Sequence, residues 1–213
     1  MNRIRIMAVL VLTLLACPAA FGQQHQKPKE PPPDYYPLRV GDWWKYQSTN
    51  AEGKQSEFTM TVLADEKQTD GTVLHKVEIK STTPIHEWYS KGNGWVLWHR
   101  EEYTANNMNV TFEPVRQFLK NPPTPGSTWS WKGKGMMSVD IDESNQAISS
   151  ETVEVPAGKF EAIKVETKVT QGGQNVTKTY WYANWVGLVK SITESPSFKS
   201  TTVLMDYSFK KKP

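Results

Sequence analysis

Cysteine is almost absent from this chain of 213 residues, in which Cys17 is the only example. A mature protein that begins at Gln23 would therefore contain none. Disulfide bonds, thiol nucleophiles and thiolate metal sites are excluded for such a protein. Any chemistry that it performs has to come from other side chains.

The chain also lacks a marked excess of charge. Its 25 Lys and Arg residues oppose 22 Asp and Glu residues, which gives a formal net charge of +3. Removal of Arg3 and Arg5 with a signal peptide would leave +1. This balance provides no electrostatic reason to bind nucleic acid or a membrane surface, so we predict no nucleic-acid partner.

Motifs of common catalytic centres are missing as well. The four histidines show no metal-ligand spacing such as H-x-x-x-H, and there is no G-x-S-x-G elbow or phosphate-binding glycine loop. We therefore predict no metal and no cofactor, and we favour a non-enzymatic protein. The alternative is a secreted enzyme acting on polysaccharide, with an acid pair drawn from Glu87, Glu101, Asp140 and Asp142.

The first 22 residues have the pattern of an export signal. A basic start precedes an apolar run from Ile6 to Leu15 that is too short to span a bilayer, and Ala20-Phe21-Gly22 fits a cleavage site. The competing interpretation is a lipoprotein box, Leu14-Leu15-Ala16-Cys17, in which Cys17 becomes lipidated. We expect a periplasmic or extracellular protein, attached to a membrane only if Cys17 carries lipid.

Three further segments follow the predicted signal peptide (residues 1–22). Residues 23–35 are polar and rich in proline, which predicts a flexible leader. Residues 36–210 contain no composition break and have the length of one domain. Residues 211–213 are a short basic tail.

Alternating hydrophobicity and turn signals predict antiparallel sheet throughout that domain. In one strand Val73, Val77 and Ile79 share a face, and Gly172-Gly173 is typical of a tight hairpin. We count about ten strands and predict an all-β fold with little helix: a curled sheet, half-barrel or barrel. Two local predictions are a brief helix at Pro114–Leu119 and a strand at Met136–Ile141.

Aromatic residues are abundant, with 9 Trp, 8 Tyr and 7 Phe. Neighbours such as Trp43-Trp44 must place rings on both faces of a sheet. Either the rings fill the interior of a curled sheet, or one face binds a glycan or a small apolar ligand. For a ligand site we predict contacts from six tryptophans: Trp43, Trp88, Trp95, Trp98, Trp181 and Trp185.

A third hypothesis treats the domain as an envelope assembly component. The edge of a β-sheet can accept a strand from another protein, and an exported sheet would meet envelope proteins as partners.

Four short motifs resemble the TapB-like family of secreted bacterial proteins of unknown function. They are Tyr36-Pro37-Leu38-x-Val40-Gly41-x-Trp43-Trp44-x-Tyr46, Pro125-Gly126-x-Thr128-Trp129-x-Trp131, Val155-Pro156-Ala157-Gly158-x-Phe160 and Val186-Gly187-Leu188-Val189-Lys190. Each motif is a turn with aromatic or apolar neighbours, and together they span most of the mature chain. The resemblance implies an exported antiparallel β domain and assigns no activity.

Overall fold

A computed structural model describes residues 30–209, which form an all-β domain. Twelve antiparallel strands close into a barrel in which each strand pairs with its neighbours in the chain and β1 pairs with β12. The predicted fold class is confirmed. The strands are β1 Trp43–Asn50, β2 Gln55–Lys67, β3 Val73–Lys80, β4 Ile85–Gly92, β5 Trp95–Tyr103, β6 Met108–Lys120, β7 Thr128–Lys134, β8 Asp140–Val155, β9 Gly158–Gln171, β10 Gln174–Ala183, β11 Gly187–Ser195 and β12 Phe198–Tyr207.

The chain divides into two units, Met1–Pro31 and Pro32–Pro213, and the barrel belongs to the second. The predicted signal peptide, Cys17 and the basic tail lie outside the described residues. Within residues 30–209, no helix combines the length and apolar character that crossing a membrane would need.

Alternating burial along the strands follows from the sequence. On β8, Ile141, Glu143, Asn145 and Ala147 are buried while the residues between them are exposed. Successive strand residues face opposite sides, so one set points into the barrel and the other into solvent. The inward set on β8 includes a carboxylate and an amide, which makes the interior partly polar.

Two local predictions are wrong. Pro114–Leu119 is extended and lies inside β6, where Arg116 pairs with Trp98 and Gln117 with Leu97 of β5. Pairing with β5 and burial of alternate side chains outweigh the local tendency on which the helix prediction rested. Met136–Ser138 forms a 3₁₀ turn, because Met137 and Ser138 have positive φ and cannot continue a strand; β8 begins only at Asp140.

A short N-terminal segment, Asp34–Leu38, closes one end of the barrel, and we call it the plug. The Tyr36 ring lies between strands from different sides of the barrel, with ring centroids 5.4 Å from Tyr89, 5.5 Å from Phe118 and 6.4 Å from Tyr182. The Asp34 carboxylate accepts hydrogen bonds from Lys91 Nζ at 2.6 and 2.8 Å and from Asn121 Nδ2 at 2.8 Å. We call this the closed end and the opposite one the open end.

Residues from the sequence motifs build the closed end. The Ala157 amide, at the tip of the β8–β9 hairpin, donates to the carbonyl of Leu204 on β12 at 3.1 Å. Gly187 has φ +91°, and a Cβ at this position would lie 3.3 Å from Cδ of Pro37 in the plug. The Trp44 indole donates to the carbonyl of Val186 at 2.7 Å. These motifs therefore have a structural role at this end.

The seam between β6 and β7 is the thinnest contact in the barrel wall. Glu113 with Lys134 is the one residue pair that joins these strands. Side chains cross the rest of the seam: Trp131 Nε1 donates to the carbonyl of Pro114 at 3.0 Å, and Arg116 forms an ion pair with Glu143 of β8. The wall is thus held here by side chains in place of a backbone ladder.

Candidate functional site

Two of the four candidate carboxylates face each other inside the barrel. Glu87 on β4 and Glu101 on β5 are direct cross-strand partners. Each accepts a hydrogen bond from the tyrosine two residues further on, Tyr89 to Glu87 at 2.7 Å and Tyr103 to Glu101 at 3.0 Å. Opposed residues of this kind have Cβ atoms about 5 Å apart.

The other two candidates lie elsewhere, on the outer surface. Asp140 and Asp142 of β8 are ion-paired with Lys134 and Lys132, and their side chains are 85% and 53% exposed. The structure therefore brings together one pair from the four carboxylates, Glu87 with Glu101.

The pKa of Glu87 is raised to about 7, chiefly by burial and also by the nearby charge of Glu101, while the Tyr89 hydroxyl, Arg116 and Lys178 act in the opposite direction. Burial also raises the pKa of Glu101, against the effects of Tyr103, Arg116 and Lys178. Perturbed carboxyl groups that share a cleft with cationic groups are a physical indicator of a functional site. Near neutral pH, Glu87 can thus either donate or accept a hydrogen bond.

A hydrogen-bonded chain lies deeper in the barrel. The Arg116 guanidinium contacts Glu143, Asn145 Nδ2 donates to the same carboxylate at 3.0 Å, and Thr167 Oγ1 donates to Asn145 Oδ1 at 2.6 Å. The gap beside these side chains has a volume of about 10 Å³. That is the space of about one water molecule, so the deep interior is filled.

The inner side chains around the acid pair are less buried towards the open end than towards the plug. Glu101, Tyr103 and Lys178 are half-buried, whereas Tyr36 in the plug and Tyr89 beside it are buried. Lys178 lies on β10 opposite the buried Thr167 of β9, which places it on the same inner face. The half-buried inner side chains next to the acid pair therefore include carboxyl, phenol and ammonium groups.

The six predicted tryptophans are dispersed. Trp98 is inside the barrel, stacked on Tyr89 with centroids 5.5 Å apart. The Trp88 ring lies 3.5 Å from the Arg100 guanidinium and 5.1 Å from Lys76 Nζ. Trp181 is contacted in the same way by Lys164 and Lys190, at 5.6 and 4.9 Å.

The remaining three lie towards the closed end. Trp95 packs on Trp129 at 6.3 Å, the Trp185 amide donates to the carbonyl of Asp34 at 2.7 Å, and the Trp43 amide donates to Ser208 Oγ at 2.9 Å. Within residues 30–209, no ring contact joins any two of the six predicted tryptophans. Their role in ligand contact stays a prediction.

Histidines and acidic residues do not assemble into a metal centre in the described part of the chain. His99 Nε2 is 2.8 Å from Ser90 Oγ, and burial lowers the pKa of this histidine. His86 lies between Glu78 and Glu102, at 3.8 and 3.2 Å. The two histidines thus have separate partners.

Sequence reasoning missed Tyr89, Tyr103, Arg116 and Lys178. A signal for the tyrosines exists, because Glu87-x-Tyr89 and Glu101-x-Tyr103 repeat the same pattern on the two strands of one hairpin. Residues two apart share a strand face, so each tyrosine could have been placed beside its carboxylate. No comparable local signal identifies Arg116 or Lys178.

Comparison with known proteins identifies relatives of part of the chain and of its fold. Residues 115–204 match the model of the DUF3108-like family. The chain is similar to a Bacteroides fragilis protein described as exported, with a YmcC-like fold, at 17% identity and a TM-score of 0.54 over 83% of this chain and 100% of that one. At this identity the likeness shows the fold alone.

Two further structures have lower scores. A Parabacteroides distasonis protein described as a lipoprotein is 14% identical, with a TM-score of 0.48 over 84% of this chain and 100% of that one. YmcC of Escherichia coli, described as a hypothetical lipoprotein, is 11% identical, with a TM-score of 0.44 over 80% and 85% of the two chains. No curated protein matches the chain.

Proposed function

We propose that this protein is an exported, non-enzymatic domain that binds a hydroxyl-bearing ligand, such as a sugar unit, at the open end of its barrel. The observation that carries the proposal is the opposed pair Glu87 and Glu101, with Lys178 on the same inner face. Carboxyl groups accept and an ammonium group donates, so together they complement the hydroxyl groups of a sugar.

An apolar ligand is disfavoured on physical grounds. The apolar depth of the barrel is occupied by side chains such as Tyr36, Tyr89 and Trp98, and the gap beside Arg116 has room for about one water molecule. The half-buried groups nearest the acid pair, Tyr103 and Lys178, are polar. Of the two ligand classes that the aromatic content suggested, the geometry supports the glycan.

Export and the kind of partner remain parts of the proposal. Export is supported by the N-terminal pattern of residues 1–22, with Cys17 as the alternative processing site. An envelope protein partner and membership of the TapB-like family stay predictions. A strand-accepting role would have to use the β6–β7 seam, where the ladder is thinnest.

A second candidate function uses the same pair as catalytic acids on a polysaccharide. Glycosidases that retain configuration hold their two carboxyl groups about 5 Å apart, and direct cross-strand partners such as Glu87 and Glu101 have Cβ atoms about that far apart. Raised pKa values at Glu87 and Glu101 favour this candidate, because a general acid must hold its proton near neutral pH.

Saturation-transfer NMR tests binding with glucose, galactose, mannose and N-acetylglucosamine as probes. At least one sugar should receive saturation from the wild-type protein, and Lys178→Met should abolish it. Lys45→Met is the matched control, because Lys45 is an exposed, ion-paired lysine on the outer face of β1. No transfer from any sugar, or equal transfer in the Lys178→Met variant, would contradict the proposal.

The catalytic candidate needs a separate measurement. Hydrolysis of aryl glycosides of the same four sugars should be undetectable if the protein only binds them. Turnover that is lost in Glu87→Gln, while sugar binding persists, would replace the binding function with the enzymatic one.

A further inference from the structure

Three neighbouring hollows lie along the outer surface of β7, β8, β9 and β10. Their volumes are about 470, 300 and 610 Å³. The first and second share Ser144 and Lys168, and the second and third share Asp142 and Thr170. They therefore form one continuous depression, which we call the furrow.

Strand register places polar residues in rows across the furrow. One row runs from Ser130 through Ser144 and Lys168 to Thr177, each residue paired with the next on the neighbouring strand. The next row contains Lys132, Asp142, Thr170 and Asn175 in the same arrangement. The furrow thus presents hydroxyl, amide and charged groups at the regular spacings of a sheet.

Three lysines and four carboxylates line the furrow, with Glu113 as the additional carboxylate. Lys132 is paired with Asp142 at 2.6 Å, Lys168 with Glu166 at 3.4 Å, and Lys134 with Asp140. Because each lysine has a carboxylate beside it, the surface has no strong field of either sign. A polyanion or polycation would gain little here, which favours an uncharged ligand.

The shape favours an extended ligand. Along β8 the furrow follows Asp140 to Gln146, a length of about 20 Å at 3.3 Å per residue. An extended peptide would need apolar pockets for alternate side chains or a free strand edge. β8 and β9 are paired on both sides, and the exposed lining is mostly hydroxyl, amide and ion-paired groups.

We propose that the furrow binds an uncharged linear glycan chain lying along β7 to β9. Ser130, Ser144, Gln146, Lys168 and Thr170 offer donors and acceptors to its hydroxyl groups. This site is separate from the open end, because the furrow residues point outward while Glu87, Glu101 and Lys178 point into the barrel.

Isothermal titration of the full exported chain with cellohexaose, xylohexaose and maltohexaose tests this proposal, with a hexamer of galacturonic acid as the charged comparison. At least one neutral hexamer should bind, and the acidic hexamer should bind about tenfold or more weakly. Ser144→Trp should weaken neutral binding by about tenfold or more, because it fills the middle of the furrow. Gln55→Trp, on the exposed outer face of β2 and outside the furrow, is the matched control and should bind like wild type.

Four results would overturn the proposal. No binding of any neutral hexamer at millimolar concentration would remove the site. Equal affinity of wild type and Ser144→Trp would place the ligand elsewhere, as would binding that is lost in Lys178→Met and kept in Ser144→Trp. Tighter binding of the acidic hexamer would show that the chemistry of the ligand is wrong. Failure of sugar binding at the open end has no bearing on these outcomes.

Discussion

Replacing Glu143 by leucine should strongly destabilise the barrel, because it leaves the Arg116 guanidinium buried without its counter-charge. Arg116 is 7% exposed and Glu143 is 1% exposed. The rings of Trp98, Phe112 and Trp131 lie 4.9 to 5.7 Å from the guanidinium and offer weaker attraction than a carboxylate. Asn145 Nδ2 would also lose its acceptor.

Glu143→Leu should lower the free energy of unfolding by about 3–5 kcal/mol. Arg116→Met should cause a similar loss, because it leaves the Glu143 carboxylate buried without a counter-charge. Domains of this kind have unfolding free energies of about 5–15 kcal/mol, so either change removes a large part of the total. The double variant should recover most of the loss, because apolar side chains of similar size need no counter-charge. Lys132→Met, which breaks an exposed ion pair, should cost no more than about 1 kcal/mol.

Urea unfolding followed by tryptophan fluorescence measures all four variants, and the double-mutant cycle gives the coupling between Arg116 and Glu143. The pair also crosses the β6–β7 seam, where one residue pair joins the backbones. If each single variant stays within about 1 kcal/mol of wild type, or if the two losses simply add, the side chains do not hold this seam and the reasoning is refuted.

Two further predictions concern the acid pair and the plug. The pKa of Glu87 is raised from 4.5 to about 7 in the folded protein, so the folded state holds this proton more tightly than the unfolded chain. The free energy of unfolding should therefore fall as pH rises from 4.5 through about 7. In Glu87→Gln the urea midpoint should change less with pH over that range than in the wild type. A wild-type midpoint that rises over this range would contradict the assignment. Gly187→Ala should lower the free energy of unfolding by about 1–2 kcal/mol because of its left-handed backbone, and by a further amount because the new Cβ approaches Pro37. Gly53→Ala, at φ +81° with open space around it, should show the backbone cost alone. Equal losses of melting temperature in the two variants would show that packing on the plug contributes nothing.

The strands were predictable because their signals are local. Alternation in β3 and the Gly172-Gly173 turn depend on neighbouring residues, and the structure places strands and a turn there. Closure was left open between sheet and barrel, because the pairing of Trp44 with Tyr207 joins distant parts of the chain and has no local signal. The helix predicted at Pro114–Leu119 was wrong for a related reason, because the extended form of this segment depends on its pairing with β5.

The acid pair shows where sequence reasoning about the site stops. Glu87 and Glu101 were named among four carboxylates, but register decides whether they meet. The hairpin pairs Gly92 with Trp95 and stays in that register to Tyr89, where a bulge that contains His99 shifts it by one residue. Without the bulge Glu87 would face Arg100 on the neighbouring strand. Bulges have no reliable signature in a single sequence, so this pairing required the structure.

The pairing of β1 with β12 has a kinetic consequence. Every other ladder in the barrel joins strands that are consecutive in the chain, so each can form as a local hairpin or meander. Contacts close in sequence form early and cost little loop entropy, whereas pairing residue 44 with residue 207 has to enclose nearly the whole domain. We therefore expect ring closure to be the late step of folding, and until it occurs the free edges of β1 and β12 are the surfaces most exposed to association between chains.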